Sequence, residues 1–526
     1  MSKKRILTML LATVLLLGAL AACLADTLPE TYVESPIVAT ELPPNDMPAP
    51  LFGPGITVAS MAEPPSVAPA RHSALIGSFM NAMTHNGLFR VDSETLNPVP
   101  DLVSEWSAIS DTVFELRIHE GVMFHNGDEM TAYDIAASLE YVRTYPDQRV
   151  AHGSLTSWEV IDAYTLRLDT GEPNALLLND LASHGNFIMP RSLIDSGHDF
   201  MAEPIGSGPF IFEEWRAGDY LRFRAFEEYF DAARFPRIEY VEWRIIPEGS
   251  SRTIALEVGE VDYLVDVAFP DVARMEGNDN ITVQQISGAT FQHFIMNNDR
   301  PQFSNIYARQ AIDMALDREA MVEASLDGFG VPIWTSMPPI LAGASTENTR
   351  SFGPDAARAL LAEHNIDPAS LDFEMLVFDE QQRRRAEVAQ ANLGEIGITT
   401  TILMIDFATW LTLTLGDTYD ATFANFTTTN LVSFMRNTMS IDFIDSQNRS
   451  RMRNEEFTEL VSEAIVTVNE NERNAILEKA SGIANQHAGI LGINMNIVVR
   501  AFNSNLVAPE LSANGAMHMN MMYWNE

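Results

Sequence analysis

The sequence predicts an α/β or α+β protein of two or three domains with mixed sheets, and three observations predict it. The chain has 526 residues, too many for one hydrophobic core when domains run to roughly 100–200 residues. Apolar residues make up 46% of it, including 28 Phe and 25 Met, enough to fill more than one core. Strand-like alternation and helix-like periodicity interleave along its length, which excludes a helical bundle and a sandwich.

Ile56-Thr57-Val58-Ala59 reads as the first strand. Val113 to Ile118 alternates as a half-buried strand, and Gly121 and Asn126-Gly127-Asp128 mark turns. Thr131 with Asp134 three residues on starts a helix whose Ile135, Leu139 and Val142 share a face. Phe210–Trp215, Tyr220–Phe226 and Arg237–Ile246 alternate as strands, the last with a bulge or two covered faces. Ile312, Ala315, Leu316, Met321 and Val322 form one helical stripe. Pro354 opens another helix at its first position, and Gly397 ends a third that carries Val388, Leu393 and Ile396. Phe457 to Ala464 and Ile476 to Ile483 mark two more. No internal repeat is present.

Lys3, Lys4 and Arg5 precede the apolar run Ile6–Leu20, and Leu20-Ala21-Ala22-Cys23 fits a lipoprotein cleavage box. The run is short of the ~20 residues of a membrane span, so a cleaved signal is preferred over a retained anchor. Residues 1–22 are then the signal peptide and Cys23 the lipidated residue. Residues 23–52, with Pro29, Pro36, Pro43, Pro44, Pro48 and Pro50, form an extended tether. Cys23 is the only cysteine, which excludes intrachain disulfides and cysteine metal cages. These features place the chain outside the cytoplasm, on the cell membrane by lipid, facing the periplasm or outer surface. With 33 Lys+Arg against 72 Asp+Glu, the net charge of −39 repels nucleic acid phosphates and anionic headgroups. It is read as a solubility feature, with a cationic ligand as the rival.

Several stretches together resemble family 5 of the bacterial extracellular solute-binding proteins. They are Trp106, Phe114-Glu115-Leu116-Arg117, Gly121-Val122, Phe124-His125-Asn126-Gly127 and Thr131-Ala132-Tyr133-Asp134. Gly206-Ser207-Gly208-Pro209-Phe210 with Trp215 and Gly218, and Leu256 to Asp262, continue the series. Ala308-Arg309-Gln310-Ala311-Ile312, Pro354–Glu363 and Leu393–Ile398 complete it in family order. The resemblance implies a two-lobed periplasmic-binding-protein-like fold with a hinge, mixed sheets and an extra subdomain inserted in the first lobe. On this chain the first lobe would be 53–86, 206–288 and 493–526, the insertion 87–205 and the second lobe 289–492. The hinge would lie near 294–297 and 493–497. It also implies a receptor of an ABC importer, a monomer that captures a small solute, a peptide foremost, and passes it to the permease and its ATPase.

Chemistry of other kinds finds little support. His119 and His125 lack zinc spacing, and His184, His198, His293 and His364 are scattered. Met517, His518, Met519 and Met521 suit copper(I), yet also read as one face of a strand. No G-x-S-x-G, Walker A or G-x-G-x-x-G sequence occurs. Neither an enzyme nor a metal or cofactor is expected.

Ligand choice is sought in Tyr419–Phe434. In peptide-binding members a Trp and then an aspartate for the peptide ammonium occupy this stretch. Here Phe426 replaces the Trp, Thr427-Thr428-Thr429-Asn430 follows, and Thr429 is the nearest match to the aspartate. A hydroxyl cannot neutralise a buried ammonium, whose loss of a charged partner costs on the order of 3–5 kcal/mol. Either the amine is held elsewhere, or the ligand is a sugar, a nickel chelate or a modified peptide, or the loop touches no ligand. Arg436 is a candidate for a ligand carboxylate, and Trp334 and Trp410 for packing on the ligand or in the core. Pro65 and Ser66, after the first strand where the family presents backbone, and His293 complete the candidate contacts. A surface lipoprotein for signalling, adhesion or chaperoning is the alternative of another class.

Overall fold

The computed structural model describes residues 52–69, 75–144, 155–182 and 186–525. The signal peptide, Cys23, nearly all of the tether and His184 lie outside the described residues.

Strand β1 (Ile56–Ser60) leads through helix α1 (Leu75–Thr84) to a four-stranded antiparallel sheet. Its strands are β2 (Val103–Ala108), β3 (Val113–Ile118), β4 (Ser157–Val160) and β5 (Thr165–Asp169), in the order β2-β3-β5-β4. Helix α2 (Ala132–Arg143) covers it. The Thr131 N–H donates to the Asp134 carboxylate at 2.8 Å, so the predicted start is the observed one. Leu116, Phe124, Ile135, Leu139 and Leu168 close this subdomain's own core.

Strands β6 (Phe210–Arg216), β7 (Tyr220–Ala225) and β8 (Tyr240–Ile245) form an antiparallel meander, and β8 pairs parallel with β1. The bulge falls in β6, between Phe212 and Glu214, and not in the 237–246 segment. That segment is instead covered on both edges, by β1 and β7. The glycines of 206–208 have a steric cause: a Cβ on Gly208 would stand 2.5 Å from the Met83 carbonyl oxygen. After α3 (Gly249–Glu257) and β9 (Tyr263–Leu264) comes β10 (Ile281–Met296), sixteen residues long.

Two helices follow where one stripe was expected: α4 (Ile306–Ala315) and α5 (Arg318–Leu326). The Asp317 side chain accepts the Ala320 N–H and starts a second helix, which breaks the first at Leu316. Then come α6 (Pro354–Glu363), β11 (Phe373–Val377), α7 (Glu380–Glu395), β12 (Thr400–Met404), α8 (Phe407–Leu415) and β13 (Ala421–Thr427). Helices α9 (Leu431–Met439), α10 (Glu455–Val466) and α11 (Glu470–His487) precede β14 (Ile490–Asn503). The C-terminal methionines are not a strand face. Met517, Met519 and Met522 bury themselves in the core around Trp243, while Met521 is exposed.

The main sheet runs β12-β11-β13-β10-β14-β9-β1-β8-β7-β6, mixed in direction, with Gly330–Pro332 added against β14. It is one sheet serving two lobes. Cores around Trp243 and around Leu264 lie on the first-lobe half, and cores around Phe294 and around Phe434 cover the two faces of the second. Strands β10 and β14 belong to both halves. Their ladder pairs Ile281–Ser287 with Asn503–Ile497, breaks, and resumes from Phe291 opposite Met495. The break falls at 288–290 on β10, opposite Asn496 on β14.

A buried ion pair ties the second lobe together. Arg318 is 1% exposed and bonds Asp313, whose other oxygen accepts from Arg350 Nε at 2.9 Å. Arg318 Nε also donates to the carbonyls of Ile333 and Gly492, at 2.9 and 2.8 Å. Asp313→Ala would strand two arginines, one fully buried, so its chemical-denaturation midpoint should fall by the equivalent of about 3–5 kcal/mol.

Candidate ligand-binding site

A cavity of ≈ 500 Å³ opens beside the ladder break, within the ~300–1,000 Å³ usual for small-molecule sites. Met61 and Ala62 reach it from the end of β1, Ile76 and Phe79 from α1, and Arg252 from α3. Val265 to Val267 follow β9, Thr290 comes from β10, Asn496 to Arg500 from β14, and Ala513 to Gly515 from the C-terminal segment. Strand ends and the shared strands thus converge on it, as ligand sites do at carboxyl ends of strands in open sheets.

The polar groups around it are few. Arg252 is buried and donates to the carbonyls of Ile246, Pro247 and Asp266 at 2.7, 2.9 and 3.0 Å. Asp266 accepts the Met61 N–H at 3.0 Å. The Thr290 and Thr427 hydroxyls bond each other at 2.8 Å across β10 and β13. Beyond Thr422, β13 has no strand on its outer edge among the described residues, since β11 pairs only with Ala421 and Thr422. Asn425 to Thr427 therefore have no strand partner on that edge among the described residues.

None of the residues singled out in the sequence belongs to the cavity wall, though Thr427 adjoins it through Thr290. Pro65 is exposed, and the buried Ser66 hydroxyl accepts the Ala68 N–H at 3.0 Å in a local turn. Thr428 and Asn430 are spent on the start of α9. The Asn430 N–H donates to the Thr428 hydroxyl, and the Asn430 side chain accepts the Ser433 N–H at 2.9 Å. Thr429 is half-buried beside them. Phe426 is partly buried and packs against His293 and Phe434.

His293 itself is fully buried, bonds the Ser336 carbonyl at 2.9 Å and stacks on Phe434. Trp410 is core as well, with its indole N–H on the Thr422 hydroxyl at 2.7 Å and its ring against Phe378 and Phe407. Trp334 is half-buried, and its Nε1–H has no partner among the described residues. Arg436 donates to the neighbouring Asn437 at 3.2 Å and lies over the Phe443 ring. Among the described residues no three His, Cys, Asp or Glu side chains are grouped to hold a metal, and no helix is long and apolar enough to cross a membrane.

The family model for bacterial extracellular solute-binding proteins, family 5 (middle region), matches residues 97–438. The chain belongs to this family. Over 333 residues it is 24% identical to the glutathione-binding protein GsiB of Salmonella typhimurium, a match covering 61% of this chain and 64% of the relative's length. HbpA2 from Haemophilus parasuis superposes with a TM-score of 0.81 at 21% identity, over 90% of this chain and 100% of that one. DppA from Helicobacter pylori, in complex with the peptide STSA, gives 0.76 at 22%, over 90% and 99%. At these identities the likeness shows the shared two-lobed fold.

Burial holds the His293 imidazole neutral, lowering its pKa from 6.5 to about 4 against the opposing Ser336 hydrogen bond. Below pH 6.5 the unfolded chain takes up a proton that the folded core refuses until about pH 4, so stability falls as pH drops through that window. His293→Phe should flatten the dependence of the urea midpoint on pH there, by up to about 1.4 kcal/mol per pH unit.

Proposed function

We propose that this family 5 protein captures a small solute in the cavity beside the break of its β10–β14 ladder and delivers it to the permease of an ABC importer. In this reading it is a monomer without catalysis or cofactor, held at the membrane by lipid on Cys23. The lobes are divided as the sequence suggests: 53–86, 206–288 and 493–526, the insertion 87–205, and 289–492. The observation that carries the reading is the cavity's position at the break of the β10–β14 ladder, where two lobes joined by two strands can close over a ligand.

The ligand we propose is a peptide or a peptide-like solute. The open edge of β13 supports this, because an extended backbone can add there as a further strand, giving sequence-tolerant affinity. The names of the relatives point the same way, since one is called glutathione-binding and another carries a bound peptide. A second reading, a solute without a free ammonium, is favoured by Thr429 standing near the place of the family's aspartate. The candidates at Pro65, Ser66, Trp334, Phe426, Thr427–Asn430 and Arg436 are then rim contacts made on closure.

A thermal-shift screen of short peptides, N-acetylated peptides, glutathione, sugars and nickel chelates tests the reading. A true ligand at a hundredfold excess over its Kd should add about 2.7 kcal/mol of stability and shrink the radius of gyration in X-ray scattering. No shift with any of these classes would defeat the receptor reading. In cells, an alkyne-tagged fatty acid should label the protein, and Cys23→Ala should abolish the label and release the chain from the membrane fraction.

A further inference from the structure

Among the described residues the cavity wall carries three charged side chains: Arg252, Asp266 and Arg500. Among the described wall residues two arginines against one aspartate leave one positive charge in excess, in a chain whose net charge is −39. The local sign is thus opposite to that of the whole. The two arginines also differ. Arg252 is saturated by three backbone carbonyls and serves as a brace for the 246–252 turn.

Arg500 is less fully provided for. It stands on β14 in the run Ile497-Val498-Val499-Arg500-Ala501-Phe502 and is 7% exposed. Its Nη1 reaches only the adjacent Val499 carbonyl, at 3.2 Å, and its Nε is buried without a partner. No described carboxylate lies within ion-pairing distance of it. The neighbouring Tyr263 hydroxyl is a hydrogen-bond partner of Arg500 but supplies no negative charge, because burial pushes its phenol up to about 12 although the Arg500 charge and hydrogen bond oppose the shift. A buried guanidinium stays ionised and is expensive without a counter-charge. Here the missing counter-charge faces a cavity large enough for a ligand.

We propose that Arg500 is the anchor for an acid group of the ligand, and that the solute bound in this cleft carries a carboxylate and a net negative charge. The inference rests on the proposed function, since it names the chemistry of the same cleft. It also joins the absence of a carboxylate at Thr429 to the excess of cation at Arg500: the site is built to receive an acid rather than an amine. The planar fork of the guanidinium suits bidentate seating of a carboxylate.

The test uses matched probes on the intact mature chain: N-acetyl-tri-alanine against its C-terminal amide, and glutathione against its diethyl ester, by calorimetry and thermal shift. At least one acid should bind about 100-fold more tightly than its neutral partner. Arg500→Gln should remove that difference, and Arg500→Lys should restore part of it, with melting of both unliganded variants reporting that they fold. Equal binding of acid and neutral forms to the wild type would overturn the acid anchor while leaving the receptor reading standing. Discrimination that survives in Arg500→Gln would overturn the assignment to Arg500. Failure of these four probes alongside the whole wider screen would overturn the receptor reading, and this inference with it.

Discussion

Everything in this molecule depends on two strands that belong to both of its halves. Strands β10 and β14 pair from Ile281 opposite Asn503 to Ile295 opposite Ile490, and among the described residues they alone join the β12-β11-β13 side of the main sheet to the β9-β1-β8-β7-β6 side. Each lobe hangs its own cores on its own stretch of this ladder. Where the stretches meet, Gly288 sits so close to the other strand that a Cβ would fall 2.9 Å from Val498 and 3.0 Å from the Asn496 carbonyl. The hydrogen-bond ladder lapses at that point, and the cavity opens beside the lapse. The cavity and the lapse in the ladder share one place in the sheet.

Buried charge is handled in two ways. Within the second lobe Arg318, Asp313 and Arg350 satisfy one another and nearby carbonyls, so their role is architectural. At the cavity Arg252 is satisfied by backbone and Arg500 is left short. The same residue type is scaffold or site according to whether its partners are already present.

The fold was largely legible because its signals are local. Alternation in 113–118, the Thr131–Asp134 start and Pro354 at a helix entrance all act over a few residues, and they resisted tertiary override. The Leu316–Asp317 break was missed because apolar period alone cannot see an N-cap inside a continuous stripe. The site was far less legible. Its wall joins Met61, Arg252, Thr290 and Arg500, which only the folded chain brings together. Attention fell on 426–430, where departure from a family pattern was visible, yet two of those side chains form a helix cap. One signal was available: Arg500 is the lone charge in strand β14, a placement that demands a partner once the strand is buried.

The unpaired margin of β13 has a consequence for the behaviour of the protein in a crowded envelope. Exposed strand margins are templates for self-association, and proteins blunt them with charge, bulges or cover. Here the open stretch is short, because β11 covers Ala421 and Thr422 and the strand ends at Thr427. So short a margin offers a folded neighbour few backbone groups to pair with, and its brevity guards it against polymerisation.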